Sequence, residues 1–223
     1  MSEEGLRSEA QQTKRFLDIP NVVGFIDGDK FATLNPLDAL LQNRDYNGWT
    51  KECARNIVCV WNTHGKIIDC GVNLPGNYHD SKATKWCRIY DHILRLPEPY
   101  KVCCDDAFYT QGFLKGKLVK TKERYSITID GEVEVTREQT EYDKQLTHLR
   151  QASEWGNNVL VGTFRRLKRK LPTDNKKRAL LMWAWILLTN WRTETVEQNQ
   201  IKTYFNNISC EEQQQEVMET AYL

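Results

Sequence analysis

Two rhythms of apolar and polar positions divide the chain. Asn21–Leu34 (NVVGFIDGDKFATL) is apolar and rich in β-formers, and it predicts a strand with Asp27 inside it. From Asn56 to Asn73, NIVCVWNTHGKIIDCGVN sets two β-type runs around Thr63-His64-Gly65-Lys66, the clearest hairpin signal in the sequence. Leu74-Pro75-Gly76-Asn77 is a turn that delivers His79-Asp80-Ser81 to a helix over Asp80–Leu96, with Asp80 as its N-cap. Pro97 and Pro99 end that helix. Lys101–Phe108 (KVCCDDAF) then reads as a buried strand running into two acids. Lys117–Val135 is polar and alternating, and its last part predicts a hairpin around Asp130-Gly131, inserted before the next helix.

The period then becomes helical. Lys144–Leu171 has no proline before Pro172, and Leu149, Ala152, Leu160, Phe164, Leu167 and Leu171 form a ridge with one longer gap. Turned about 120° from Leu160 lies a polar face of Arg150, Glu154, Asn158 and Arg165. The end of the stretch is basic: Arg165, Arg166, Lys168, Arg169 and Lys170. By itself this is an ordinary amphipathic surface helix. After Lys176-Lys177-Arg178 a second long helix is predicted from about Ala179 to Glu197. Its ALLMWAWILL segment reads as buried, with Trp183, Trp185 and Trp191 as core anchors. The segment is too short to cross a bilayer. The chain thus divides into a polar lead-in (1–20), one α/β domain (21–208) and an acidic tail (209–223).

Composition changes this picture little. At 223 residues, 40% hydrophobic and 27% charged, the chain is long enough for one domain with a substantial core. A net charge of +1 identifies no partner, so the distribution of charge matters: basic clusters fall at Lys115–Arg124, Arg165–Lys170 and Lys176–Arg178. Seven cysteines without a Cys-x-x-Cys pair point to a reducing compartment, cytosol or nucleus. Cys59 and Cys70 can face each other across the hairpin, where buried thiols are expected over a disulfide. The four histidines are too scattered for a zinc site.

Three acids carry the candidate chemistry. Asp27 is costly to bury within a strand unless it is paired or metal-bound, or unless Asp27-Gly28-Asp29 is a turn. Asp105 stands at the carboxyl end of a strand, where side chains of α/β folds often enter a site. Glu154 is the acid of the helical polar face. Two strand carboxylates beside one helix carboxylate can hold two divalent cations about 4 Å apart. Hard oxygen donors favour Mg²⁺ or Mn²⁺. One ion would activate a water or a 3′-hydroxyl and the other would stabilise the leaving oxygen of a phosphodiester, while nearby bases neutralise the DNA backbone.

With these residues in view, the sequence resembles the DDE transposases of the PIF/Harbinger superfamily and the Harbinger transposase-derived nucleases, the fungal type most of all. The resemblance rests on the ordered stretches Gly24–Gly28, Tyr46–Trp49, Pro75–Ser81, Asp105–Phe108, Leu149–Gly156 and Gly162–Lys168, with Asn199-Gln200-Ile201 near the end. It implies an RNase H-like mixed sheet flanked by helices, Mg²⁺-dependent DNA hydrolysis and joining of element ends to target DNA. The family's three acids fall on Asp27, Asp105 and Glu154, and its accessory His-Asp pair on His79 and Asp80. Arg150, Arg165, Arg166, Lys168, Arg169 and Lys170 become candidate DNA contacts. A nuclear location is implied as well.

Some positions depart from the family pattern. Many relatives carry the third acid where this chain has Val161, and Glu141 is a weaker substitute for it. Asp29 replaces a Thr or Ser, and Asp106 a small residue. Full-length relatives carry a helix-turn-helix region, to which nothing before Asn21 corresponds, so DNA-sequence reading would be missing or would fall to a partner such as a Myb-like protein. The alternative reading is a catalytically silent or truncated descendant that acts in chromatin or DNA-associated interactions.

Overall fold

The computed structural model describes residues 2–14, 20–108, 112–120, 128–129, 132–133, 137–196 and 199–206. At its centre is β1 (Val22–Ala32), which pairs antiparallel with β3 (Glu52–Trp61) on one side and parallel with β5 (Lys101–Cys103) on the other. Beyond β3 lie β4 (Ile67–Pro75) and the two-residue β2 (Tyr46–Asn47), both antiparallel to it. Beyond β5 lies β6 (Leu118–Val119), parallel to it. Three long antiparallel strands continued by two short parallel ones, with helices on both faces, make the predicted RNase H-like α/β sheet. Separately, β7 (Thr128–Ile129) and β8 (Glu132–Val133) pair antiparallel, and the turn residues predicted between them lie outside the described residues.

The period of two along the strands sorts side chains to two cores. Phe25, Phe31, Ile57, Cys59 and Trp61 point to one face and pack against α5 (Arg137–Thr163), α6 (Asn175–Thr195) and a short helix α7 at 200–206. Ile26, Val58, Val60 and Val102 point to the other and meet α3 (Asp80–Trp86) and α4 (Ile89–Leu94). The hairpin turns where predicted. Gly65 has φ +73°, and Asn199 donates to its carbonyl at 3.0 Å from a position that a side chain on Gly65 would overlap. Cys59 and Cys70 are opposed across this hairpin as free thiols, and burial pushes the Cys70 thiol up to about 12.

Several predicted elements differ in detail. The helix expected over Asp80–Leu96 is two helices, because Arg88 adopts φ +66° and turns the chain so that Ile89, Tyr90 and Ile93 reach the sheet. His79 holds the N-cap position of α3 and makes no side-chain cap bond, while Asp80 is already inside the helix. The lead-in is a docked helix, α1 (Glu3–Lys14): Leu6 and Ala10 pack with Val23 and Tyr100, and buried Glu9 accepts from Asn62 Nδ2 at 2.7 Å. α2 (Ala39–Asp45) ends at buried Asp45, which pairs with Arg55 at 2.8 Å.

The long helix begins earlier than Lys144 and stops at Thr163 rather than Leu171. Arg165–Lys168 form a 3₁₀ turn, and Leu171 joins the sheet edge, donating to Ala32 O at 2.8 Å and accepting from Leu34 N at 2.9 Å. Pro172 disfavours helix at Leu171, and an extended Leu171 still buries its side chain. α6 buries one side only. Trp185 is in the core, whereas Trp183 and Trp191 are 45% and 61% exposed, so two of the three expected core anchors face outward.

Candidate active site

Asp27 and Asp105 are brought together by neighbouring strands. Phe25 of β1 and Cys103 of β5 are parallel partners. β1 continues through Asp27, and alternation with Phe25 turns its carboxylate toward the face covered by α5. β5 ends at Cys103 and Asp105 follows it in the loop, close enough to Asp27 and to Arg150 of α5 for their charges to act on one another. α5 crosses this point closely because Gly156 lies against the Trp61 ring. One residue further on, buried Asn157 donates from Nδ2 to Asp27 Oδ2 at 3.1 Å.

The electrostatics follow from this crowding. Burial raises the Asp27 carboxyl to about 7; the Gly28 N–H bond at 2.8 Å opposes the rise, and the charges of Asp105, Asp80 and Asp29 add to it. Asp105 is also raised, first by burial and then by Asp80 and Asp106, against the Ala107 N–H and Arg150. Burial raises Asp29 too, although its carboxylate accepts from Lys30 N at 2.7 Å. Asp80 approaches from the opposite face of the sheet. Its Oδ1 lies 2.6 Å from where a Cβ on Gly28 would sit and 3.5 Å from Lys30 Nζ. The site gathers half-buried carboxylates with excess negative charge, and Asn157 Oδ1 beside them is buried without a hydrogen-bond partner.

Glu154 lies on the same side of α5, between Arg150 and Asn157, and pairs with Arg150 at 2.7 Å. Among the described residues no three His, Cys, Asp or Glu side chains are gathered closely enough to hold a metal ion. The donor set nevertheless fits a hard divalent cation: oxygens only, carboxylates in excess of the neighbouring cations, and an orphaned amide oxygen.

The model of the DDE superfamily endonucleases matches residues 26–190, well over half of the chain. The chain belongs to this family. No curated protein and no solved structure matches it significantly. The matched span of this DDE endonuclease domain runs from the strand of Asp27 to α6 and includes Asp105 and Glu154.

Other sequence candidates are distributed around the site. His79 is exposed just before α3. Arg150 is half-buried and adjoins Asp105, whereas Arg165, Arg166, Lys168, Arg169 and Lys170 are exposed on the loop after α5. Arg166 donates to Lys170 O at 3.0 Å, and Lys170 lies 3.7 Å from Glu52. Val161 is half-buried against the core, away from any acid role. Glu141 falls among the α5 residues whose side chains are not described.

Sequence reasoning missed Asn157 and took Asn158 as the polar-face residue. Asn158 is exposed. At 100° per residue Asn157 lies about 60° from Leu160, on the flank of the buried ridge, while Asn158 is about 160° away. The available signal was Gly156, which fills the ridge's long gap between Ala152 and Leu160 as a member with no side chain.

Proposed function

We propose that this chain is the catalytic core of a transposase of the PIF/Harbinger type, which cuts DNA phosphodiesters and joins ends with Mg²⁺ or Mn²⁺. The observation that supports the reading is that Asp27, bonded to Asn157 of α5, lies close enough to Asp105 for the charge of Asp105 to raise its carboxyl. Asp27, Asp105 and Glu154 would hold the metal. Two bound cations at such a site supply an activated water or 3′-hydroxyl and neutralise the leaving oxygen.

The chain's own residues do the rest. Asn157 fixes the orientation of the Asp27 carboxylate. Arg150 holds Glu154 until the acid turns to the site, and is then available to a phosphate. The basic run Arg165–Lys170 neutralises backbone charge along the DNA. Sequence-specific binding by a separate Myb-like partner, and a nuclear location, belong to the same proposal.

Calorimetric titration of Mg²⁺ and Mn²⁺, with Asp105→Ala beside the parent and a nicking assay on supercoiled DNA, tests this. Binding and nicking that both require Asp105 are expected. A chain that neither binds millimolar metal nor nicks DNA overturns the catalytic reading. The Arg150–Glu154 ion pair favours the second reading, a catalytically silent descendant acting in DNA-associated interactions, and that outcome would select it. Asn157→Ala is expected to weaken metal affinity about 10- to 100-fold, the usual effect of losing a group that orients a ligand. Affinity equal to the parent's would remove Asn157 from the site.

A further inference from the structure

The outward face of α6 is an apolar stripe about three turns long. Leu180, Trp183, Leu187, Leu188 and Trp191 are 71, 45, 66, 46 and 61% exposed, and Ala184 lies among them. The opposite face carries buried Met182, Trp185, Ile186 and Thr189 against the sheet. Isolated exposed leucines need no explanation, but two tryptophans and three leucines at helical spacing on one face do. Exposed Lys176 and Lys177 bound the stripe at its start, and exposed Glu194 bounds it at its end.

We propose that this face joins two copies of the chain, α6 against α6 in antiparallel orientation. The positions of the stripe are symmetric about a midpoint between Trp185 and Ile186. An antiparallel two-fold there brings Leu180 level with Trp191 of the second copy and Ala184 level with Leu187 of the second copy. It also brings Lys177 level with Glu194 of the second copy. Large residues thus meet smaller ones, a cation meets an anion at both ends, and the helix dipoles oppose. A parallel pairing would set lysine against lysine. Each copy offers on the order of 500 Å² of apolar surface, so the pair removes about 1,000 Å², the threshold for a specific interface. Glu194 also contacts Lys66 at 2.7 Å, an exposed ion pair that can be shared.

Sedimentation velocity of the full chain across micromolar concentrations tests the pairing. A monomer–dimer equilibrium is expected, with Leu187→Glu monomeric and unchanged in circular dichroism and melting. Lys177→Glu is expected to weaken the dimer about tenfold, and adding Glu194→Lys to restore it. Rescue by the charge swap is specific to two antiparallel copies. A chain that stays monomeric overturns the proposal, and so does a dimer indifferent to Leu187→Glu. Monomer in which Leu187→Glu lowers the melting temperature would show that the chain's own residues cover the stripe.

Discussion

Replacing Asp27 with Asn is expected to cut metal-dependent nicking roughly a thousandfold or more and, without metal, to make the protein more stable. Both effects come from one cause. The unfolded carboxyl loses its proton near 3.8 and the folded one near 7, chiefly because burial disfavours the charge. Between those values the folded state holds a proton that the unfolded state has lost, so stability falls as pH rises through this window. Above pH 7 the full deficit remains, on the order of 4 kcal/mol for a shift of this size. Asn carries no charge to desolvate. In chelator at pH 8 the variant should therefore melt well above the parent, and near pH 4 the two should converge. Saturating Mg²⁺ should raise the parent's melting temperature and leave the variant's unchanged. A variant that melts no higher at pH 8 would mean that Asp27 is not held under this strain.

Gly156→Ala is expected to destabilise the protein by about 1–3 kcal/mol and to lower nicking about a hundredfold. Alanine normally gains close to 1 kcal/mol over glycine within a helix. Here its methyl would overlap the Trp61 ring, which is fully buried and has no room to retreat. The overpacking cost wins, and α5 must lift from the sheet. Arg150, Glu154 and Asn157 ride on that helix, so their spacing to Asp27 and Asp105 opens with it. Denaturant unfolding checks the stability term, and nicking under stabilising conditions checks the geometry. An alanine variant at least as stable as the parent would show that α5 is not pressed against Trp61.

The sheet was legible because β1, β3 and β4 are short runs rich in β-formers, the last two joined by a glycine turn. Asp27 and Asp105 stood out because acids are rare inside or at the end of apolar strands. What such runs cannot show is which residues meet across distant segments. Gly76 lies against the backbone of Ala54 and Asp45, and Asn56 donates to Pro75 O and Tyr78 O at 3.0 and 2.8 Å. Asn47 donates to Gly76 O at 2.7 Å. Residues of the stretches Tyr46–Trp49 and Pro75–Ser81 thus lock loops to strands. The rotation of α5, which decides between Asn157 and Asn158, depends on its contact with Trp61. The all-round apolar α6 concealed its outer face, since periodicity says nothing when every position is greasy.

The return of Leu171 to the sheet edge gives the basic segment a property that a projecting helix would not have. Arg165–Lys170 form an arch fixed at both ends, with Leu167 and Leu171 buried beneath it. Its backbone is ordered when the chain folds, so engaging a polyanion there requires little further loss of chain freedom. The same anchorage attaches the arch to the end of β1, the strand that carries Asp27. A strand of phosphates laid on the arch would be positioned relative to the carboxylates by the sheet itself, in the manner of a jig rather than a tether.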